Sequence, residues 1–443
     1  MIFMKVYSFP RGGLFYYDPT VPPKTSSVVA FLPTLSVIPL VHHPGGRVFP
    51  LVSVGDTVRE GMLVGRSSGP GSANVHATVP GRVIRKVSWR DSEGHVNEAL
   101  VIRTEGSFER LGKREEIFSW AGMNPYDLQR LISDYGVVEM EGPGRPVAET
   151  LSAFRKSGGP LTLVVRCVFD DPWLAADYVL CRERLAAVVE GSFIIAKAAE
   201  KTVRVIFAVS RREKELGEAM LAEAAGGNIP VSMVLAGSKY PQRKRRELEL
   251  VLRNYVKREG LDLGSLLILG PATLAAAYDA VKFKRPILDR YVAVGGSAVR
   301  RPQVMRARIG KRIGDLIEEC GGFIDRPWRV AVGSPLSGKA VADLDEPVTK
   351  TSYAVFAMLK AQAGGYTARD CISCGECRSV CPVGLDPEEL YKQITGGSFA
   401  LSGNPSIPGQ SGCHGCGCCE VVCPSRLPLS EVIQGTIREE QRA

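Results

Sequence analysis

The chain is 443 residues long, which excludes a single hydrophobic core and leaves room for about three domains. With 45% hydrophobic and 23% charged residues it has ordinary globular composition, so the compositional extremes fall away. The 56 basic against 47 acidic residues leave a formal charge of +9. That bias suits an acidic protein partner or an anionic membrane surface and carries no information about fold; a nucleic-acid partner is not expected.

The first residues, Met1-Ile-Phe-Met-Lys5, lack the charged-then-apolar order of an export signal. Residues 1–32 read as an extended arm, because Pro10, Gly12, Gly13, Pro19, Pro22 and Pro23 resist regular structure. Residues 33–105 are patterned as short Val-rich strands separated by Gly, Asp and Asn turns. Within them, Val54-Gly-Asp-Thr-Val-Arg-Glu-Gly61 and Val79-Pro-Gly-Arg-Val83 resemble the two halves of a lipoyl-type barrel-sandwich hybrid. The hairpin lysine that carries the prosthetic group in such carriers is missing, and Ser72-Ala-Asn-Val-His76 occupies the turn. A structural module is expected, with His76 a packed or surface side chain.

Residues 120–284 begin with a helix signalled by Asn124 as N-cap and Pro125 at the first helical position. Four continuous apolar runs follow, 161–169, 203–210, 229–236 and 266–269, separated by helical stretches over 173–201 and 211–225. Strands without polar alternation, spaced by helices, predict a parallel α/β sheet buried on both faces. The basic run Lys239-Tyr-Pro-Gln-Arg-Lys-Arg-Arg246 leads into an amphipathic helix and reads as its solvated start, with docking to a partner or membrane as the alternative. The most apolar segment, Leu266 to Val281, is too short to span a bilayer and is interrupted by Gly270-Pro271 and Asp279. Over 285–352 the strands are shorter and one helix, Ile313 to Cys320, is closed by Gly321-Gly322, a pattern expected of a small β-grasp unit.

A cysteine-rich domain, 360–435, begins from about Tyr366. Nine of the 12 cysteines lie here, between Cys371 and Cys423. Cys371-x2-Cys374-x2-Cys377-x3-Cys381-Pro382 and Cys413-x2-Cys416-x2-Cys419-x3-Cys423-Pro424 repeat one pattern, that of two-cluster ferredoxins. Two-residue gaps let three thiolates wrap one iron–sulfur cube, while the fourth cysteine, a helical turn further on, reaches the other cube. The spacing therefore assigns Cys371, Cys374, Cys377 and Cys423 to one [4Fe–4S] cluster, and Cys413, Cys416, Cys419 and Cys381 to a second. A disulfide framework would need an oxidising compartment. Zinc knuckles need neither the third cysteine nor the proline, twice over. Cys418 falls outside the spacing and reads as a small buried residue, as do the isolated Cys167, Cys181 and Cys320. Reduced thiolates argue for the cytoplasmic side.

The barrel-sandwich, α/β, β-grasp and dicluster units, in this order, resemble RnfC, the C component of the Rnf electron transport complex. Matching stretches include Phe9-Pro-Arg-Gly-Gly13, Lys239-Tyr-Pro-Gln242, the run from Gly310 to Gly322, Gly333-Ser-Pro335 and Pro347-Val-Thr-Lys350. The resemblance implies a central Rossmann-like domain of the type that carries flavin in respiratory complex I. There a glycine-rich loop cradles the FMN phosphate and NADH stacks on the flavin.

Here that loop is Gly136-Val-Val-Glu139-Met-Glu141-Gly142-Pro143-Gly144-Arg145, so Gly136, Gly142 and Gly144 remain as the candidate cofactor-binding positions. A phosphate cradle needs glycines whose N–H groups converge on the anion. One glutamate charge about 4 Å from a phosphate oxygen costs roughly 4 kcal/mol at an effective dielectric near 20, and Pro143 removes a donor. A second family motif, N-G-A-E-C-E-P, stands altered as Arg166-Cys-Val-Phe-Asp-Asp-Pro172. The loop thus predicts a poor seat for FMN, and for NADH with it, with Glu139, Glu141 and Arg145 as surface residues on an emptied loop.

The function this implies is a peripheral electron-transfer subunit at the cytoplasmic side of the cell membrane. It would relay electrons through two clusters between a soluble donor or acceptor (NADH, ferredoxin or another redox protein) and the membrane subunits of an Rnf-type complex. The resemblance implies that such a complex is an ion-translocating ferredoxin:NAD oxidoreductase. A soluble reductase of the cobalamin-reductase type shares the architecture, but needs a working flavin loop. A zinc-bearing scaffold is the non-redox reading.

Overall fold

The computed structural model describes residues 5–41, 46–90, 96–108, 116–360, 367–396 and 412–440. Tyr366, the expected start of the cysteine domain, lies outside these described residues, as do residues 1–4 of the arm.

In the arm, β1 (Val6–Tyr7) and β2 (Ser27–Val29) are strands, so the expectation that the arm resists regular structure is corrected. The Val-rich stretch that follows forms β3 (Leu35–Pro39), β4 (Val48–Pro50), β5 (Thr57–Val58), β6 (Leu63–Ser67), β7 (Val75–His76), β8 (Gly81–Arg90) and β9 (Val96–Thr104). These make two small sheets, β3-β9-β8-β5 and β4-β6-β7, which close on a core that includes Ile38, Val64, Val83, Leu100 and Ile102. This is the barrel-sandwich hybrid.

The central domain opens with α1 (Pro125–Asp134), capped as expected by the Asn124 side chain, which accepts from Asp127 N–H, and continues with α2 (Val147–Ser157). Strands β10 (Leu161–Cys167), β11 (Thr202–Ser210), β12 (Val231–Ala236) and β13 (Leu266–Leu269) pair in parallel, in the order β1-β12-β11-β10-β13. Every residue of β10 is buried, which is why its sequence shows no alternation. The helices are α3 (Ala175–Glu183), α4 (Leu185–Ala198), α5 (Lys214–Glu223), α6 (Arg245–Arg258) and α7 (Pro271–Lys282). The single helix expected over 173–201 is broken at Arg184, which leaves helical geometry while its guanidinium forks onto Asp279 at 2.7 and 3.0 Å.

The third unit has β14 (Asp289–Gly295), β15 (Gln303–Arg308), α8 (Ile313–Glu319), β16 (Arg329–Val332), β17 (Lys339–Ala340) and β18 (Ala354–Met358). Its mixed sheet runs β17-β16-β18-β14-β15-β2, with Ile313, Leu316 and Ile317 of α8 in its core. The arm thus supplies an edge strand to two different sheets, β1 beside β12 and β2 beside β15. Both are short and separated by the prolines, which keeps each from extending into an exposed edge. The cysteine-rich region is helical, with turns at Glu376–Val380, Pro387–Thr395, Cys418–Val421 and Leu429–Glu440. Asp386 caps the second of these by accepting from Glu389 N–H. Among the described residues no helix is long and apolar enough to cross a membrane.

Candidate metal centres

Both cysteine runs fold the same way, and the sequence shows why. A glycine follows the second cysteine of each run, Gly375 and Gly417, and each adopts a left-handed backbone (φ +77° and +76°). That conformation is open to glycine without steric penalty. It turns the chain into a short helix carrying the third cysteine, Cys377 or Cys419. The helix ends just before the fourth cysteine, after which Pro382 or Pro424 redirects the backbone.

The two runs exchange their last cysteines. Cys371, Cys374, Cys377 and Cys423 line one cavity, together with Ile372, Tyr391, Leu427 and Leu429. Cys413, Cys416, Cys419 and Cys381 line a second, with Leu385 and Ile433. Cys418, fully buried, also borders the second cavity. Among the described residues no group of three His, Cys, Asp or Glu side chains is placed to hold a single metal ion. The thiols instead stand around two small cavities. The donor set, eight cysteine thiols in two apolar pockets, fits iron–sulfur cubes.

Backbone donors point at the sulfurs. Leu385 N–H donates to Cys381 Sγ at 3.2 Å and Leu427 N–H to Cys423 Sγ at 3.4 Å, each from four residues downstream, and Ser373 N–H donates to Cys371 Sγ at 3.5 Å. Such bonds stabilise negative charge on a cluster's ligands. Burial pushes the Cys377, Cys413 and Cys419 thiols up from their ordinary range, so a positive iron centre is what would draw their protons off.

The two cavities differ in surroundings. Around the first, Cys374 is exposed and the lining Ile372 is 67% exposed. The second is walled in by the rest of the molecule. Tyr240 donates its hydroxyl to the Cys416 carbonyl at 2.7 Å, and the Lys244 ammonium donates to the His414 carbonyl. His414 Nδ1 lies 2.9 Å from the buried Glu247 carboxylate. Beside Tyr240, whose backbone pairs with Leu14, Gly13 N–H donates to the Val380 carbonyl at 2.9 Å, and a Cβ on Gly12 would lie only 2.6 Å from the Cys381 carbonyl oxygen. The basic run 239–246 is therefore more than a solvated helix start: Lys244 reaches the second cysteine loop and the Arg243 guanidinium stacks 4.1 Å over the Tyr353 ring.

The candidate flavin loop takes a different course. A Cβ on Gly136 (φ +64°) would lie 2.1 Å from the Asn74 carbonyl oxygen, so this glycine is needed for contact with the barrel-sandwich. The N–H groups of Gly142 and Gly144 both donate to the Glu139 carbonyl, at 3.2 and 3.3 Å, and Glu139 N–H donates to the Arg145 carbonyl. Donors spent on the loop's own carbonyls cannot converge on an external phosphate. The loop does not fit FMN. Arg145 is exposed as expected, but Glu139 is half-buried, accepting from the Thr150 hydroxyl at 2.6 Å, and Glu141 is buried. The expectation that both glutamates lie on the surface is corrected. In the second altered motif, buried Arg166 pairs with Asp177 and Asp170 accepts from Gln242 N–H at 2.6 Å. Burial pushes the Asp170 carboxyl up to about 8.

Four family models match in chain order: an RnfC barrel-sandwich hybrid domain over 22–107, a Nuo51 FMN-binding domain over 132–264, an SLBB domain over 291–340 and a 4Fe-4S dicluster domain over 367–427. The C component of the ion-translocating oxidoreductase complex of Rhodobacter capsulatus is 30% identical over 373 residues, covering 83% of this chain and 71% of that one. This chain belongs to the RnfC family. Another relative, the C component of the proton-translocating ferredoxin:NAD(+) oxidoreductase complex of Clostridium ljungdahlii, is 29% identical over 82% of this chain and 79% of its own length. A chain of an NAD+-reducing [NiFe]-hydrogenase in the H2-reduced state superposes over 72% of this chain and 62% of that one, at 15% identity and a TM-score of 0.49.

In this RnfC-family chain, the roles of Tyr240, Lys244, Glu247 and the arm in enclosing the second cavity were not read from the sequence. The available signal was the shared stretches Phe9–Gly13 and Lys239–Gln242, which carry no recognisable chemistry of their own. They meet beside Cys381 and Cys416.

Proposed function

We propose that this chain relays electrons through two [4Fe–4S] clusters between a soluble redox protein, such as ferredoxin, and the membrane subunits of an Rnf-type complex. It does so as a peripheral subunit at the cytoplasmic face. Cys371, Cys374, Cys377 and Cys423 hold one cluster; Cys413, Cys416, Cys419 and Cys381 hold the other. The observation that carries the reading is the exchange of the fourth cysteine, which gives each cavity a complete set of four thiols. The functional units are proposed as 33–105, 120–284, 285–352 and 360–435, with the arm over 1–32.

When bound, the clusters supply reversible one-electron transfer. The chain's own residues set the conditions. Leu385, Leu427 and Ser373 offer N–H groups to the ligand sulfurs, which favours the more negative oxidation state. Leu427, Leu429 and Tyr391 keep water from the first site, and Leu385 and Ile433 from the second. The exposed Cys374 and Ile372 make the first site the exchange port for a partner. No hydride step is assigned to the central domain, whose loop does not fit flavin.

Anaerobic purification tests the relay. The chain should carry about eight irons and as much sulfide, four per cube. Cys381→Ser should strip or alter the cluster of the Cys413 run while leaving the Cys371 cluster's paramagnetic resonance signal in place. Loss of the Cys371 cluster instead would mean that each run closes its own cube, and the exchanged wiring would be wrong.

A further inference from the structure

In an open parallel sheet, an anionic ligand binds beyond the carboxyl ends of the strands, where the strand order reverses. Here β10 is the reversal point, because the chain passes from β10 to β11 and β12 on one side and returns to β13 on the other. The crevice is bounded by the residues after Cys167 and by Gly270, which leads into α7. Helix α7 has twelve residues, and its first N–H groups form the natural anion seat.

That seat is taken. Glu141 Oε1 accepts from Ala272 N–H at 2.7 Å and from Thr273 N–H at 3.2 Å, and Oε2 accepts from the Thr273 hydroxyl at 2.5 Å. The carboxylate is pressed so close that a Cβ on Gly270 would lie 2.3 Å from Glu141 Cδ. Thr273 ties down the same loop a second time, its hydroxyl oxygen accepting from Met140 N–H at 2.9 Å. Gly270 thus permits a close approach, as a glycine beside a bound phosphate would, and the approaching group is a side chain of the same molecule.

We propose that Glu141 is a built-in replacement for a ligand phosphate, which closes the switch-point crevice and makes the central domain of this chain flavin-free. Electrons then reach the clusters one at a time from another redox protein, and no hydride enters through this subunit. The inference deepens the relay reading and rests on it for the electron route alone. An internal carboxylate tethered by its own backbone competes at an effective concentration that a free nucleotide does not reach.

The test uses the full-length chain, purified anaerobically with its clusters, as wild type, Glu141→Gln and Glu141→Ala. Wild type should release no flavin on acid treatment, even after incubation with excess FMN, and its Tm should not respond to inorganic phosphate. Glu141→Ala should melt ~2–4 °C lower and regain most of that loss in tens of millimolar phosphate, because the vacated N–H groups then bind the anion. Glu141→Gln keeps an acceptor oxygen in place and should fall between the two, without a phosphate response. Stoichiometric flavin in wild type overturns the proposal, and so does a folded Glu141→Ala that melts like wild type or ignores phosphate. If the alanine variant does not fold, flavin content of wild type and of Glu141→Gln still decides, since retained flavin in either sinks it. Iron and sulfide counted in the same samples report on the relay separately, so failure of one reading is not mistaken for failure of the other.

Discussion

His76 shows how burial fixes the charge of a single side chain. Only 8% exposed, it stacks on Tyr135 with ring centroids 6.2 Å apart, and burial together with the nearby Lys350 ammonium pushes its pKa down to about 3. In the unfolded chain it would take a proton near its ordinary value of about 6.5. Because the folded value is depressed, its stability contribution is present above pH 6.5 and is lost as the pH falls toward 3. By pH 5 that loss amounts to about 2 kcal/mol. His76→Phe should remove this part of the slope, seen as a smaller fall in urea midpoint between pH 7 and 5 than in wild type. Among individual residues the gathering of the cysteines around two cavities was legible in advance, because a cube demands fixed spacing and the spacing is written along one short segment. Glu141 was not. Its charge could be weighed against a phosphate from the sequence, but its real partners, Ala272 and Thr273, lie 131 and 132 positions away. Nothing local in a sequence announces such a contact.

The four parallel strands announced themselves through apolar runs long enough to need cover on both faces, and α1 through its Asn124 and Pro125 signals. The break between α3 and α4 was hidden, since Arg184 is a good helix former on its own and is drawn out of helical geometry by Asp279. Strands β1 and β2 were also hidden, because two or three residues carry too little pattern to read and owe their form to β12 and β15. Helices α4 and α7 cross at Gly191, where a Cβ would lie 2.2 Å from the Leu274 carbonyl oxygen. Gly191→Ala should therefore push the pair apart. The expected cost of about 1–3 kcal/mol from overpacking exceeds the gain of up to about 1 kcal/mol in helix propensity. Differential scanning calorimetry should register a lower Tm; an unchanged or raised midpoint would show that α7 can slide.

Among the described residues, the molecule surrounds one cysteine cavity and leaves the other facing outward. The order of the units was legible, since each has its own period and punctuation; their mutual packing was not, because it is made by contacts between distant backbones such as Gly12 with Cys381. This arrangement predicts where a partner acts. Ile372→Glu places a charge on an exposed apolar position of the outward loop, at the rim of the first cavity, so iron is counted in each sample and the rate is compared per intact cluster. The substitution should slow second-order electron exchange with a redox protein on the order of tenfold, measured by stopped-flow spectroscopy. An equal rate would move the port elsewhere.

The arm's position has one more consequence, for how the chain is made. Residues 6 and 7 leave the ribosome long before their neighbour β12, which begins at residue 231, and Gly13 waits for Val380. Cys381 likewise waits for the loop that starts at Cys413. Since domains fold largely in the order they are synthesised, the arm stays unpaired until most of the described chain has been translated. Newly made chains should therefore depend on chaperones, and on the iron–sulfur loading machinery, late in synthesis.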